Sequence, residues 1–147
     1  MSIPVTGEQA ATEIKQNVPN AVVTFDDINV WVEPDKLLDV CAFLKDNAEL
    51  DMQFINSISA VDYIEYFELV YHLRSLRHNT TLVIKTKCFG RKNITVPSVT
   101  SVWKGAELQE REAWDLMGIK FSKHPNMKRI LLWEGFPGHP LRKDFIR

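Results

Sequence analysis

Hydrophobic and polar residues change their spacing several times along the chain, and each change predicts a different element. Thr6 and Gln9 stand three residues apart in the pattern of a helix capping box, and the apolar residues that follow have helical spacing. We therefore expect a first helix that ends shortly before Pro19. Residues 21–25 and 28–33 form two short apolar runs around a pair of aspartates, which predicts two strands joined by a tight turn.

Two later segments have the spacing of buried helix faces. After Pro34, which is favoured in the first turn of a helix, four apolar residues recur at intervals of three or four: Leu37, Leu38, Cys41 and Leu44. Nearer the C-terminus a second stripe is formed by Trp103, Ala106, Ala113 and Met117. Gly118 follows this third helix at the position where a left-handed backbone most easily ends a helix.

The middle of the chain has a period of two, which is the period of a strand. Residues 54–61 predict one such strand. A clearer second strand is predicted by four alternating apolar residues: Phe67, Leu69, Tyr71 and Leu73. Residues 77–79 should form a hairpin turn, after which residues 80–87 pair back as the last long strand and residues 90–93 turn the chain again.

The predicted order is helix, two strands, helix, three strands, helix and an extended C-terminal tail. No long helical crossover separates most of the strands, so we expect a two-layer α+β fold with an antiparallel or mixed sheet and helices on one face. A chain of 147 residues is long enough for one domain and short for two. We expect a single domain over residues 1–147, with a core in residues 1–119 and a tail in residues 120–147.

The composition is that of an ordinary globular protein, with 45% hydrophobic and 25% charged residues. No apolar run approaches the roughly 20 residues of a membrane span, so we expect none. Residues 1–9 lack the basic and apolar regions of a signal peptide, from which we expect the protein to stay where it is made.

Charge is divided unevenly along the chain. Residues 1–71 hold 3 Lys/Arg against 13 Asp/Glu, a net charge of −10, whereas residues 72–147 hold 15 against 6, a net charge of +9. This asymmetry favours halves that fold onto each other, or a complementary protein partner. Nucleic-acid binding is disfavoured, because the basic half lacks the aromatic and glycine pattern of an RNA-binding sheet.

Both cysteines, Cys41 and Cys88, stand alone in the sequence. Iron–sulfur clusters need several closely spaced thiolates, so we interpret both residues as buried thiols. We expect no cluster in this chain.

Charged residues interrupt the third helix. Glu110 completes the rhythm of its apolar stripe, and burying a lone carboxylate is costly. It should therefore meet a cation such as Arg129 or Arg142, be protonated, or lie on a surface that another protein covers. Arg111 and Asp115, four residues apart, are neighbours on one face, which indicates either a solvated charged face or a polar contact surface.

Glu110, Glu112, His124 and His139 also suggest a metal or acid–base site. Their spacing argues against it, since no HExxH motif or pair of histidines one helical turn apart is present, and both histidines precede proline. A soluble enzyme that uses these residues is the alternative from another functional class.

The tail combines residues that prevent regular structure with apolar ones. Pro125, Pro137 and Pro140 oppose helices and strands, while several apolar residues lie between them: Ile130, Leu131, Leu132, Trp133 and Phe136. Such a segment must lie on this domain's own surface or on a partner.

The densest pattern extends over residues 110–145. It begins with Glu110-Arg111-Glu112, continues through Trp114, Asp115, Leu116, Met117 and Gly118-Ile119, includes His124-Pro125 and Arg129-Ile130-Leu131, and closes with Gly138-His139-Pro140-Leu141-Arg142-Lys143-Asp144-Phe145. This block resembles the C-chain subunit of respiratory NADH:quinone oxidoreductase (complex I), a hydrophilic subunit of the peripheral arm.

The resemblance implies a two-layer, non-catalytic structural subunit on the cytoplasmic, or equivalent, side of an energy-converting membrane. Its partners would be the large quinone-site subunit and the cluster-bearing subunits. Iron–sulfur clusters, flavin and quinone would belong to those partners, with no cofactor in this chain. A homologous subunit of a membrane-bound hydrogenase, or of a dehydrogenase that uses deazaflavin or ferredoxin, is equally compatible with the sequence.

Eleven residues are predicted at the subunit interface: Glu110, Arg111, Glu112, Asp115, His124, Arg129, His139, Pro140, Leu141, Arg142 and Lys143. Arginine can grip a carboxylate through two parallel hydrogen bonds, which suits such a role.

Overall fold

A computed structural model describes residues 2–145 of the chain. Its α-helices are Gly7–Asn17 (α1), Leu37–Asp46 (α2) and Ala106–Met117 (α3), with a 3-10 turn at Pro34–Lys36 before α2. Its strands are Ile3–Pro4 (β1), Val22–Phe25 (β2), Asn29–Val32 (β3), Phe54–Asp62 (β4), Tyr66–Ser75 (β5), Thr80–Phe89 (β6), Thr95–Pro97 (β7) and Lys120–Ser122 (β8). All predicted helices and long strands are confirmed, although Trp103, which was assigned to the stripe of the third helix, lies before α3 begins. β1, β7 and β8 were not predicted, since a run of two or three residues shows no detectable period.

The main sheet is mixed, as predicted. Its strands follow the order β2-β3-β6-β5-β4, with antiparallel pairing of β4 to β5 and of β5 to β6, and parallel pairing of β3 to β6. β1 also pairs with β6 in parallel, beside Thr80 and Thr81. A separate small sheet joins β7 to β8 in parallel, so the first residues of the predicted tail belong to a strand.

The core lies between one face of the main sheet and the helices. Alternate residues of β5 are buried, from Phe67 to Leu73, and so are the facing residues of β6, from Leu82 to Cys88. On the opposite face of these two strands the residues are half-buried or exposed, with the exception of Glu68. Glu68 accepts a hydrogen bond from Trp31 Nε1 at 3.0 Å, so this carboxylate has a partner on the outer face of the sheet.

The predicted N-terminal cap of α1 is present in the structure. Thr6 Oγ1 accepts a hydrogen bond from the backbone N–H of Gln9 at 3.1 Å and caps α1. Of the predicted α2 stripe, Leu37, Cys41 and Leu44 are fully buried, whereas Leu38 is half-buried. No described helix combines the length and apolar character that crossing a bilayer requires.

Close backbone contact makes Gly7 a sensitive position. Its N–H donates to the carbonyl of Asp27 at 2.9 Å, and a Cβ atom there would overlap the carbonyl oxygen of Asp26 and lie 2.8 Å from that of Asn29. The first turn of α1 therefore fits against the turn between β2 and β3 only without a side chain.

Gly7→Ala should lower the free energy of unfolding by about 2 kcal/mol or more, because the β2–β3 turn must move away from α1. Chemical denaturation followed by circular dichroism measures this. Gly105→Ala is the matched control, since the nearest atom to its new Cβ would lie 3.6 Å away, and it should change stability by less than about 0.5 kcal/mol. Equal losses in the two variants would contradict the close-contact explanation.

Candidate functional site

The end of α3 is shaped to receive the C-terminal segment. As predicted, Gly118 has a left-handed backbone with φ of 77°, and its N–H donates to the carbonyl of Trp114 at 2.9 Å. A Cβ atom at Gly118 would lie 2.8 Å from the ring of His139. Residues 124–145, which we call the strap, return across this surface.

Asp115 holds the strap to α3. Its side chain is fully buried, and one carboxylate oxygen accepts three consecutive backbone N–H groups, from Ile130 at 3.1 Å, Leu131 at 2.7 Å and Leu132 at 2.9 Å. The other oxygen pairs with Arg129 Nη1 at 3.0 Å. Three consecutive donors can converge on one oxygen only if the strap turns tightly around it.

These donors determine the protonation of Asp115. Burial by itself would raise the pKa of this carboxyl, but the backbone N–H groups and the charge of Arg129 outweigh burial and hold the pKa below its ordinary value. The carboxylate is therefore ionised at neutral pH inside the protein.

Further contacts continue along the same helix. Arg111 donates to the carbonyl oxygens of Lys128 and Arg129, each at 3.0 Å. At the helix end, His139 Nδ1 donates to the carbonyl of Asp115 at 3.0 Å. The interpretation of Arg111 and Asp115 as a solvated charged face was wrong, because the strap covers both; Glu112 remains exposed.

A second anchor lies at the end of the main sheet. Asp62 Oδ2 accepts from Arg91 Nη2 at 2.9 Å and from the backbone N–H of Lys143 at 2.9 Å. Arg91 also pairs with Asp144 at 3.0 Å, and Arg142 donates to the carbonyl of Arg91 at 2.6 Å. The hydrogen bond from Arg91 is the main reason that the pKa of Asp62 lies far below its ordinary value. This anchor joins the acidic half of the chain to the basic half, as the charge division favoured.

Asp62 and Arg91 were not among the residues predicted to form the site. Asp62 lies on the inward-facing row of β4 with Ile58 and Ala60, and it is buried. An acidic residue on an apolar row is the same signal that identified Glu110, so Asp62 was detectable. Its partners were not, because Arg91 and Lys143 follow 29 and 81 residues later.

Glu110 is fully buried, but its partners differ from those considered. Ser98 Oγ donates to Oε1 at 2.6 Å, and the backbone N–H of Val99 donates to Oε2 at 2.8 Å. The suggested ion pair with Arg129 or Arg142 was wrong, since those arginines bind Asp115 and Asp144. Burial raises the pKa of Glu110, and the two neutral donors together with His124, whose Nε2 lies 3.9 Å from Oε1, only partly offset that rise.

His124 and His139, the two histidines of the suggested metal or acid–base site, make hydrogen bonds within the chain. His124 Nδ1 accepts from the backbone N–H of Asn126 at 2.9 Å, so its proton lies on Nε2, which donates to the carbonyl of Glu107 at 2.9 Å. Within residues 2–145 no three His, Cys, Asp or Glu side chains are grouped so that they could hold a metal ion. Both thiols are buried, and burial raises the pKa of Cys88 to about 11.

Apolar side chains of the strap face outward although its backbone is anchored. Leu131 is 60% exposed, Trp133 64% and Leu141 58%. Trp133 packs edge-on against Phe136, with ring centroids 5.6 Å apart, and Phe136 stacks on Phe145 at 6.2 Å. We call this set of side chains the strap surface: Leu131, Trp133, Phe136, Leu141 and Phe145. It leaves large hydrophobic groups in contact with water.

The eleven predicted interface residues fall into three sets. Those with exposed positions are Glu112, Leu141 and Lys143. Those that are half-buried are Arg111, His124, Arg129, His139, Pro140 and Arg142. Glu110 and Asp115 are buried within the chain itself, so neither offers its carboxylate to a partner in this conformation.

Comparison with known proteins matches this chain to one family. A model described as "Respiratory-chain NADH dehydrogenase, 30 Kd subunit" matches residues 30–147. An NADH-quinone oxidoreductase subunit of Rhizobium meliloti is 44% identical over 117 residues, covering 78% of this chain and 63% of that protein. The corresponding NADH-quinone oxidoreductase subunit of Roseiflexus sp. is 42% identical over 121 residues, covering 80% and 69%. The chain thus spans about two thirds of the length of these relatives.

A solved structure is also similar. A chain in the structure of the membrane-bound sulfane sulfur reductase, an archaeal respiratory membrane complex, has a TM-score of 0.76 and 26% sequence identity. The match covers 95% of this chain and 85% of that one.

Asp115→Asn should lower the free energy of unfolding by about 3 kcal/mol at neutral pH, because the buried N–H groups and Arg129 lose their charged partner. Because the folded-state pKa of Asp115 is lowered, its contribution is present above about pH 3.9 and is lost as the pH falls through the lowered value. The difference from wild type in denaturant unfolding should therefore narrow in acid. Glu112→Gln, on the exposed face of α3, is the control and should have little effect; a loss as large as that of Asp115→Asn would contradict the assignment.

Glu110→Gln should show the opposite pH dependence. The folded-state pKa of Glu110 is raised, so the wild type has the full contribution of this group below about pH 4.3 and loses it as the pH rises through the raised value. Glutamine does not titrate, so any deficit of the variant should be largest in acid and shrink towards pH 8 in denaturant unfolding. A deficit that grows with pH would mean that Glu110 is stabilised as a carboxylate.

Proposed function

The chain belongs to the family of 30-kDa subunits of respiratory-chain NADH dehydrogenase, and we propose that it is a non-catalytic structural subunit in the peripheral arm of a proton-translocating NADH:quinone oxidoreductase. It aligns the quinone-site subunit with the cluster-bearing subunits on the cytoplasmic, or equivalent, side of the membrane. Flavin, iron–sulfur clusters and quinone belong to those partners.

The strap supports this proposal. Its backbone is anchored by Asp115 at one point and by Asp62 at another, yet it exposes Leu131, Trp133 and Leu141. A segment fixed in this way loses little conformational freedom when a partner binds it, which favours association. Buried aromatic anchors commonly dominate interface energy, and Trp133 is suited to that role.

The groups that could perform acid–base chemistry are engaged in internal bonds. Both oxygens of Glu110 and both ring nitrogens of His124 hold backbone or side-chain groups of the same chain. These internal hydrogen bonds support a structural role for Glu110 and His124. Polar residues of α3 and of the strap, chiefly Glu112, Arg142 and Lys143, would give the interface its direction through charged hydrogen bonds.

A second candidate is a homologous subunit of a related membrane complex that uses another electron donor or acceptor, such as a membrane-bound hydrogenase or a deazaflavin- or ferredoxin-dependent dehydrogenase. The likeness to a chain of the archaeal sulfane sulfur reductase favours it. Separating detergent-solubilised membranes by blue-native electrophoresis and identifying the co-migrating chains distinguishes the two. Flavin, cluster and quinone-site subunits of an NADH dehydrogenase support the first candidate, and their replacement by hydrogenase or sulfur-reductase chains supports the second. Migration of this chain alone contradicts both.

Trp133→Asp should reduce the fraction of the chain that co-migrates with the complex by about tenfold or more, because it places a charge at the centre of the strap surface. Its unfolding free energy should stay within about 0.5 kcal/mol of wild type, since the side chain is exposed. Leu76→Asp is matched in exposure, at 58%, but lies in the hairpin between β5 and β6, and should remain in the complex. Full retention of the Trp133→Asp variant would contradict the proposed role of the strap surface.

A further inference from the structure

One side of β6 is only partly filled. β1 pairs with Thr80 and Thr81 on this side, and β3 pairs with residues 83–85 before the chain turns away at Pro34. β5 pairs along the other side as far as Phe89. Among the strands of residues 2–145, β5 alone therefore neighbours the last residues of β6.

The backbone of Lys87 and Phe89 points to this open side. The carbonyl groups of Asn79 and Thr81 accept bonds from the segment of β1 at 3.0 and 2.7 Å, whereas the N–H of Gly90 donates towards the β4–β5 turn at 3.4 Å. The side to which the backbone N–H and C=O groups point alternates from one residue of a strand to the next. The backbone groups of the odd-numbered residues of β6 therefore point towards β1 and β3. The described pairing of β3 with β6 ends at Trp31 and Lys85, and the next carbonyl of β3, that of Val32, accepts from Thr86 Oγ1 at 2.8 Å, so β3 stops short of Lys87 and Phe89.

A groove of about 600 Å³ lies against this open edge. It offers apolar contacts, because Phe89 is 71% exposed and Val23 on the facing strand is 58% exposed. It also has an excess of positive charge, since the charged residues that line it in the described part of the chain are Lys87, Lys92 and Glu33.

Neighbouring aromatic residues hold the exposed ring in place. Phe89 packs on Tyr66, with ring centroids 5.3 Å apart, and Tyr66 packs on Tyr63 at 5.2 Å. Lys87 Nζ lies 4.9 Å from the centre of the Tyr66 ring. The end of β6 thus presents a fixed apolar and cationic surface beside its free backbone groups.

We propose that this groove binds an extended segment of a neighbouring subunit, which adds as a strand to the free edge of β6. The segment carries alternating apolar residues and at least one Asp or Glu. Its backbone bonds to Lys87 and Phe89, its apolar side chains pack on Phe89 and Val23, and its carboxylate meets Lys87 or Lys92. This inference rests on the proposed function, since it requires a neighbouring subunit, but it concerns a surface separate from the strap.

Photo-crosslinking in the intact complex identifies the molecule that lies in the groove beside β6. Phe89 is replaced by p-benzoylphenylalanine, the complex is purified in mild detergent and irradiated, and the adduct is mapped by mass spectrometry. We expect one adduct, within an extended acidic and apolar segment of another subunit. An adduct with a second copy of this chain, an adduct with lipid, or no adduct in an assembled complex would overturn strand addition while leaving the proposed function intact. Absence of the wild-type chain from every complex would overturn the proposed function and this inference with it.

A pair of variants tests the backbone contact. Phe89→Pro removes an N–H that the β5–β6 ladder does not use, whereas Phe89→Ala removes the ring and keeps the N–H. Both lose the ring, so we expect Phe89→Pro to lower retention in the complex about fivefold further than Phe89→Ala, as one lost hydrogen bond predicts. Equal retention of the two would overturn strand addition. If Phe89→Pro does not fold by circular dichroism, the crosslinking result decides.

Discussion

A buried carboxylate near the end of α3 determines how the last part of the chain is arranged. Without partners, an ionised Asp115 would cost several kcal/mol to bury. Arg111 of the same helix does not compensate the charge of Asp115, because it donates its hydrogen bonds to carbonyl oxygens of the strap. The compensating donors come from Arg129 and the three residues that follow it, which must converge on a single carboxyl group. The fold of the strap is thus a consequence of neutralising one charge.

The second anchor extends this constraint to the sheet. Asp62, at the end of β4, receives both Arg91 and the backbone of Lys143, so the strap is tied to two elements that the core already fixes. Between these ties the backbone has little freedom, and hydrophobic side chains such as Trp133 must remain at the surface. A subunit of a respiratory complex contacts other subunits, and a rigid, partly apolar surface is suited to such contacts. Rigidity supplied before assembly reduces the entropy lost on binding.

The sequence predicted those features that arise from local periodicity. The long strands and all three helices follow from their apolar spacing, and Glu110 was identified because it interrupts such a spacing. Its partners Ser98 and Val99 were not identified, since neutral donors leave no charge pattern in a sequence. Asp115 was interpreted as part of a solvated charged face or a polar contact surface, because Arg111 stands four residues away on the same face of the helix. The actual donors are mostly backbone N–H groups of residues 130–132, which every sequence possesses and which only the tertiary fold selects.

Hydrogen exchange of the purified chain at neutral pH tests this account most directly, read at the amides of Ile130, Leu131 and Leu132. If Asp115 fixes the strap before any partner binds, these amides should exchange at least about a hundredfold more slowly than in an unstructured peptide, although residues 130–132 lie in no helix or strand. Exchange at the rate of an unstructured peptide would show that the strap is ordered only by a partner, and would contradict the central claim.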